Sequence, residues 1–231
     1  MTATEAQHLP SAPERGRSHT LLVATVALLI LAVVELVELG DTPRAGDSGS
    51  QVVAWLRGHG EAVRWWAWAI TVGVPVYGLV IALLRRFLPE PHRDMFLIGA
   101  IGVSVTSAVQ AYFLAGLALH ADRLEPATAR TLLDIPIFWG PVLTGYTMLM
   151  IAPVTELALR SKAGLPRWLG VLGLVVFIEQ AAETVTIFGS SGFTEPGGVM
   201  NIEVGGPLVI IWLVAFALWG SLRGRDTKPV G

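Results

Sequence analysis

The chain of 231 residues contains no cysteine. That absence excludes disulfides, thiolate metal sites, iron–sulfur clusters and a cysteine nucleophile. Charge is scarce as well. Charged residues make up 15% of the chain, against about 25% in an ordinary soluble domain. Lysine occurs only at Lys162 and Lys228. Neither sign dominates: the formal net charge is -2, so there is no basic footprint for nucleic acid. No aspartate-rich diphosphate motif, P-loop, H-E-x-x-H or G-x-S-x-G is present, which removes the common sequence signatures of soluble catalysis. What is abundant is apolar: 53% hydrophobic residues and a mean hydropathy of +0.61. Such a composition is incompatible with a disordered chain.

A bilayer core about 30 Å thick needs about 20 apolar residues per helical crossing. Six runs meet that demand: Thr20–Gly40, Trp65–Leu84, Met95–Leu119, Thr131–Leu159, Trp168–Phe188 and Val204–Leu222. The expected fold is therefore an all-α polytopic membrane bundle with six crossings. Residues 1–19 read as a disordered cytoplasmic tail, 20–222 as one transmembrane domain and 223–231 as a second cytoplasmic tail. The first run is too long for the apolar part of a signal peptide and ends in Glu35 and Glu38, so it reads as a retained helix. The fourth run exceeds one crossing and holds Pro136, Pro141 and Pro153, which predicts a kink or a break. Small residues at Ala100, Ser104, Ala108, Ala111 and Ala115 in the third run allow a neighbouring helix to approach closely. A short surface helix is expected near Val52–Arg57 within the loop Asp41–Arg64, and Gly192–Asn201 reads as a flexible outer loop.

Basic residues set the expected orientation. With the N-terminus inside, eleven arginines and lysines fall in inner segments and five in outer loops. The positive-inside rule then places both termini in the cytoplasm of a plasma-membrane protein. The tryptophans Trp65, Trp66 and Trp68 would anchor the outer interface and Trp168 the inner one.

The informative residues are acids inside apolar runs. Glu179 and Glu183 lie well inside the fifth, with Gln180 beside them. At 1.5 Å per residue, Glu179 stands roughly 16 Å beyond Trp168, near the bilayer midplane. Glu35 and Glu38 end the first run, and Asp134 opens the fourth. No lysine or arginine is expected at comparable depth. Each such carboxyl group must be protonated, share a proton, bind a cation or touch water. With Gln110 and Tyr112 of the third run, these groups point to one polar pocket in the outer half of the bundle. Phe138, Trp139 and Tyr112 would supply its aromatic walls. Glu156 reads differently, as an i, i+4 partner of Arg160 near the inner face. Carboxylates alone can hold Mg²⁺ or Ca²⁺, but no ligand spacing marks a metal site, and neither metal nor cofactor is expected.

The segment Gly164-Leu165-Pro166-Arg167-Trp168-Leu169-Gly170-Val171-Leu172-Gly173 resembles the fifth-helix entry of a broad group of small polytopic membrane proteins common in actinobacteria. There too it follows a helix ending in basic residues, like Leu159-Arg160-Ser161-Lys162 here. The resemblance covers about the last 100 residues and implies a helical membrane bundle without implying an activity. Glu179-Gln180 and Glu183-Thr184 stand where that group has a mainly apolar helix, as an acquired site would. A second likeness, of kind and without an aligned motif, is to integral-membrane terpene cyclases, which are similarly small bundles with intramembrane acids and aromatic walls.

Three functions follow as expectations. The first is an enzyme that cyclises or isomerises a prenyl- or terpenoid-like apolar substrate or lipid by general-acid catalysis. Glu179 or Glu183 would be the acid, and Glu35 and Asp134 partner carboxylates. Glu38, Gln110, Tyr112, Phe138, Trp139 and Gln180 would bind the substrate. Aromatic faces stabilise developing positive charge. A carboxylic acid is a poor donor to a plain alkene, so an epoxide or polarised allylic group suits it better. The second is a structural or regulatory subunit whose acids are satisfied by partner helices. The third is a proton- or cation-coupled transporter, for which paired intramembrane acids are the usual relay, although no matched halves are evident.

Overall fold

The computed structural model describes residues 19–39 and 42–223, and all side chains within them except those of 35–39. Apart from His19 and Arg223, which belong to the first and last helices, the two expected tails lie outside those residues. Among the described residues there is no β-strand. Seven helices account for most of the chain: α1 His19–Leu39, α2 Gly49–Leu84, α3 His92–Leu119, α4 Pro126–Ile137, α5 Trp139–Leu159, α6 Arg167–Glu183 and α7 Gly206–Arg223. Among the described residues, five stretches are long and apolar enough to cross a membrane, and His19–Val34 of α1 is a shorter apolar helix.

One departure from the sequence reading lies at the start of the second apolar run. The expected surface helix and the second apolar run are one continuous helix, α2, 36 residues long. Its start is set by a capping box: Ser48 accepts from the Gln51 backbone N–H, and the Gln51 side chain accepts from the Ser48 N–H at 2.7 Å. At 1.5 Å per residue it spans about 54 Å, more than a bilayer core. The surplus turns do not project freely. Val52, Val53, Leu56, Val63 and Trp66 pack against Leu117, Ala129 and Leu133 in a separate apolar cluster with α3 and α4.

The proline-rich fourth run divides at Phe138 into α4 and α5. Pro141 has no N–H to return to Ile137, so the helical ladder fails there. Pro126 occupies the first turn of α4, and Glu125 caps it by accepting from the Thr128 N–H at 3.1 Å.

In a bilayer, lipid tails are as apolar as leucine, so helices associate through close packing. Glycines permit that closeness. A Cβ on Gly99 of α3 would lie 2.5 Å from the Met150 N and 2.7 Å from the Tyr146 O of α5. Gly170 of α6 is as close to the Leu159 N of α5, at 2.7 Å. Phe96, Trp212 and Phe216 fill the main core, with the Phe96 and Phe216 rings edge-to-face at 6.0 Å. At that end Glu156 meets both Arg160 and His92, each at 3.3 Å. The arginine partner matches the sequence reading, and the histidine ties the start of α3 to the end of α5.

Candidate functional site

Helix α6 presents Gln180 and Glu183 on one face, three residues apart, and both are buried. The backbone then tightens into a 3₁₀ turn, Thr184–Phe188. The Thr186 hydroxyl donates to the Glu183 carbonyl at 2.8 Å, satisfying a group that the end of an α-helix leaves open. From the other side the chain returns as a π-helical turn, Met200–Gly205, which delivers Asn201 to the same point. Gly205 leaves room there for both side chains. A Cβ on it would overlap Glu183 Oε2 and lie 3.0 Å from Gln180 Nε2.

The Glu183 carboxyl group is held at both oxygens. Gln180 Nε2 donates to Oε2 at 2.6 Å, and Asn201 Nδ2 donates to Oε1. Asn201 is itself oriented, since its Oδ1 accepts from the Gly197 N–H at 2.9 Å. Gln180 Nε2 also donates to Glu179 Oε2 at 2.9 Å. Glu179 is half-buried, and its Oε1 is enclosed without a hydrogen-bond partner. Among the described residues, neither Glu179 nor Glu183 has an ion-pair partner. A charge buried without a counter-charge is costly, which makes proton exchange at this carboxyl pair chemically consequential.

Two cavities open beside the network. The first, about 210 Å³, is bordered by Glu183, Gln180 and Asn201 at one side and by Tyr77, Ser104 and Thr147 elsewhere. Its remaining walls are largely apolar side chains of α1, α2, α3, α5 and α7. The second, about 240 Å³, reaches toward Thr42, Pro43 and Trp55 and includes Gln110. Ser107, Trp139, Asn201 and Gly206 border both, so the two spaces adjoin along the bundle axis. Each is smaller than the roughly 300–1,000 Å³ of a typical small-molecule site, but the two adjoin, and both are mostly apolar with a few polar groups converging.

The structure assembles only part of the expected pocket. Glu183, Gln180, Trp139 and Gln110 line the cavities, and Glu179 adjoins them through Gln180. Asp134 lines neither. It pairs with Arg130 at 2.5 Å, and Arg130 also donates to the Arg44 carbonyl at 2.8 Å. The expected lack of a cation at that level is thus corrected: Asp134 and Arg130 tie the segment before α2 to α4. Tyr112 and Phe138 are exposed on the outside of the bundle instead of walling the pocket. On a helix the next residue turns by about 100°, and Ala111, not Tyr112, faces inward. Glu35 and Glu38 belong to α1, but their side chains lie outside the described residues.

Asn201, Thr186 and Tyr77 are missed by the sequence reading. Asn201 follows a glycine-rich stretch immediately before an apolar run, a position that reads as a loop. That stretch is not a free outer loop. It holds a 3₁₀ turn, Gly192–Thr194, and buries Glu195, whose carboxylate lies 3.8 Å from the Arg44 guanidinium. Among the described residues, no group of three or more His, Asp or Glu side chains is arranged to hold a metal ion. No protein-family model, curated protein or solved structure matches the chain.

Proposed function

We propose that the protein is an integral-membrane enzyme that isomerises or cyclises a prenyl-like apolar substrate, with Glu183 as general acid. The reading is supported chiefly by one observation: a carboxyl group on the wall of an apolar cavity, with an amide donor on each oxygen and no cation paired to it. When Glu183 gives its proton to an epoxide oxygen or a polarised allylic carbon, both carboxylate oxygens receive N–H bonds that strengthen with the new charge. The substrate cation rearranges and returns a proton from carbon to the Glu183 carboxylate, which restores the acid and leaves an isomer of the same mass. Trp139, bordering both cavities, is placed to stabilise positive charge. Glu179 serves as the companion acid, linked through Gln180. We further read six crossings of the plasma membrane with both termini in the cytoplasm, which supports substrate entry from the extracytoplasmic side or outer leaflet.

The test uses the full-length protein in lipid nanodiscs with allylic or epoxidised prenyl chains in D₂O. An isomeric product is expected, carrying solvent deuterium at carbon when the substrate is an allylic chain and at an exchangeable hydroxyl when it is an epoxide. Glu183→Gln should lower turnover by about 10²–10⁴-fold, the usual contribution of a general acid, while the protein stays folded. Glu179→Gln should cost less. Undiminished turnover in Glu183→Gln would sink the assignment.

A further inference from the structure

The seam between α6 and α7 carries a second feature, at the end of the bundle opposite Asn201. Trp168 of α6 and Ala215, Leu218, Trp219 and Leu222 of α7 wall a shallow groove of about 520 Å³, which Gly164 and Arg223 close. Trp168, Leu218 and Leu222 are exposed. The groove is thus an apolar strip on the outside of the bundle, flanked by two tryptophans at its end. Tryptophan at such a level is typical of the membrane–water interface.

The described charged side chains at the closed end, Lys162, Arg167 and Arg223, are all basic. Arg223 Nη1 donates to the Ala163 and Gly164 carbonyls at 3.1 and 2.8 Å. The guanidinium carbon stands 5.0 Å over the Trp219 ring. Both bonds use Nη1, so the Nε and Nη2 N–H groups have no protein acceptor among the described residues. Gly164, at φ 65°, is what lets the guanidinium lie so close, because a Cβ there would overlap Nη2. Lys162 and Arg167 are exposed on the same loop and helix start. Residues 162–178 and 206–223 contain no aspartate or glutamate. Among the described residues Arg223 has no carboxylate partner, and these two helix segments offer none to receive a choline-type ammonium.

We propose that this groove binds an anionic phospholipid, its phosphate paired with Arg223 and its acyl chain laid between α6 and α7. A planar guanidinium with free N–H groups matches a phosphate. The apolar walls distinguish a lipid from free phosphate. Basic pockets between membrane helices are a recurrent setting for such headgroups. The site is separate from Glu183 and does not depend on what the cavity does.

The experiment measures binding of phosphatidylglycerol and of phosphatidylcholine with the same acyl chains to the full-length protein in detergent, by native mass spectrometry. The wild type should prefer phosphatidylglycerol by about tenfold, and Arg223→Gln should cut that preference by about fivefold, as loss of one basic contact predicts. Arg167→Gln, which breaks no protein bond, should cut it by a smaller factor. Arg123→Gln, at the other end, should leave it unchanged. Equal affinity for the two lipids overturns the proposal, as does displacement of the lipid by millimolar inorganic phosphate. If Arg223→Gln does not fold, Arg223→Lys, which keeps a donor for the loop, joins Arg167→Gln. An unchanged preference in both also overturns it.

Discussion

Glu183 ends an α-helix inside the bundle, and its two oxygens meet two different amides, one from its own helix and one from a chain segment 18 residues later. Losing the second amide should be felt twice. Asn201→Leu leaves Glu183 Oε1 without its donor, which should destabilise the protein by about 1–3 kcal/mol. Thermal unfolding in detergent reads that loss, and turnover should fall with it. How much of this was legible depended on residue type. An acid in an apolar run is conspicuous, so Glu179, Gln180 and Glu183 stood out. Asn201 did not, because an asparagine after glycines is ordinary turn chemistry until the backbone shows where it goes. Asp134 was conspicuous for the same reason as Glu183 and meant something else, since Arg130 stands one helical turn before it.

Elements positioned these residues through their irregularities. The 3₁₀ turn after α6 and the π-helical turn before α7 bring Thr186, Asn201 and Gly205 around one carboxyl group. Gly205→Ala places a methyl group where Glu183 Oε2 now lies. It should reduce turnover by about 10²-fold through misplacement alone, with the product assay as readout. Helix pairing obeys the same steric logic. Gly99→Leu must push α5 away at Met150 and Tyr146, and overpacking of that kind costs about 1–3 kcal/mol. A lowered unfolding temperature checks it, and an unchanged one would show that the α3–α5 contact is not tight. The apolar runs and the proline break in the fourth were visible beforehand. The fusion of the surface helix with the second run was not, because Arg57, Gly58, His59, Gly60, Glu61 and Arg64 read as loop composition. Packing of Val52, Leu56 and Val63 against α3 and α4 overrides that local preference.

For the whole molecule the open quantity is sidedness, and the absence of cysteine makes it easy to measure. A single cysteine placed at Asp122, between α3 and α4, or at Lys162, between α5 and α6, is the only thiol in the chain. With both termini inside, a membrane-impermeant thiol reagent should label Asp122→Cys in intact cells and leave Lys162→Cys unlabelled until lysis. The reverse pattern would invert the orientation, and with it the side from which substrate enters. The all-helical apolar character, the approximate extents of the long helices, the break near Pro141 and the presence of acids inside apolar runs were determined by composition and order alone, because bilayer thickness and backbone hydrogen bonding act on any sequence locally. Which acid faces a cavity, which one meets an arginine and which asparagine completes the network were decided only by the tertiary structure. Those outcomes depend on the rotation of each helix and on where distant segments return, and a shift of one residue turns a side chain by about 100° from the interior toward lipid.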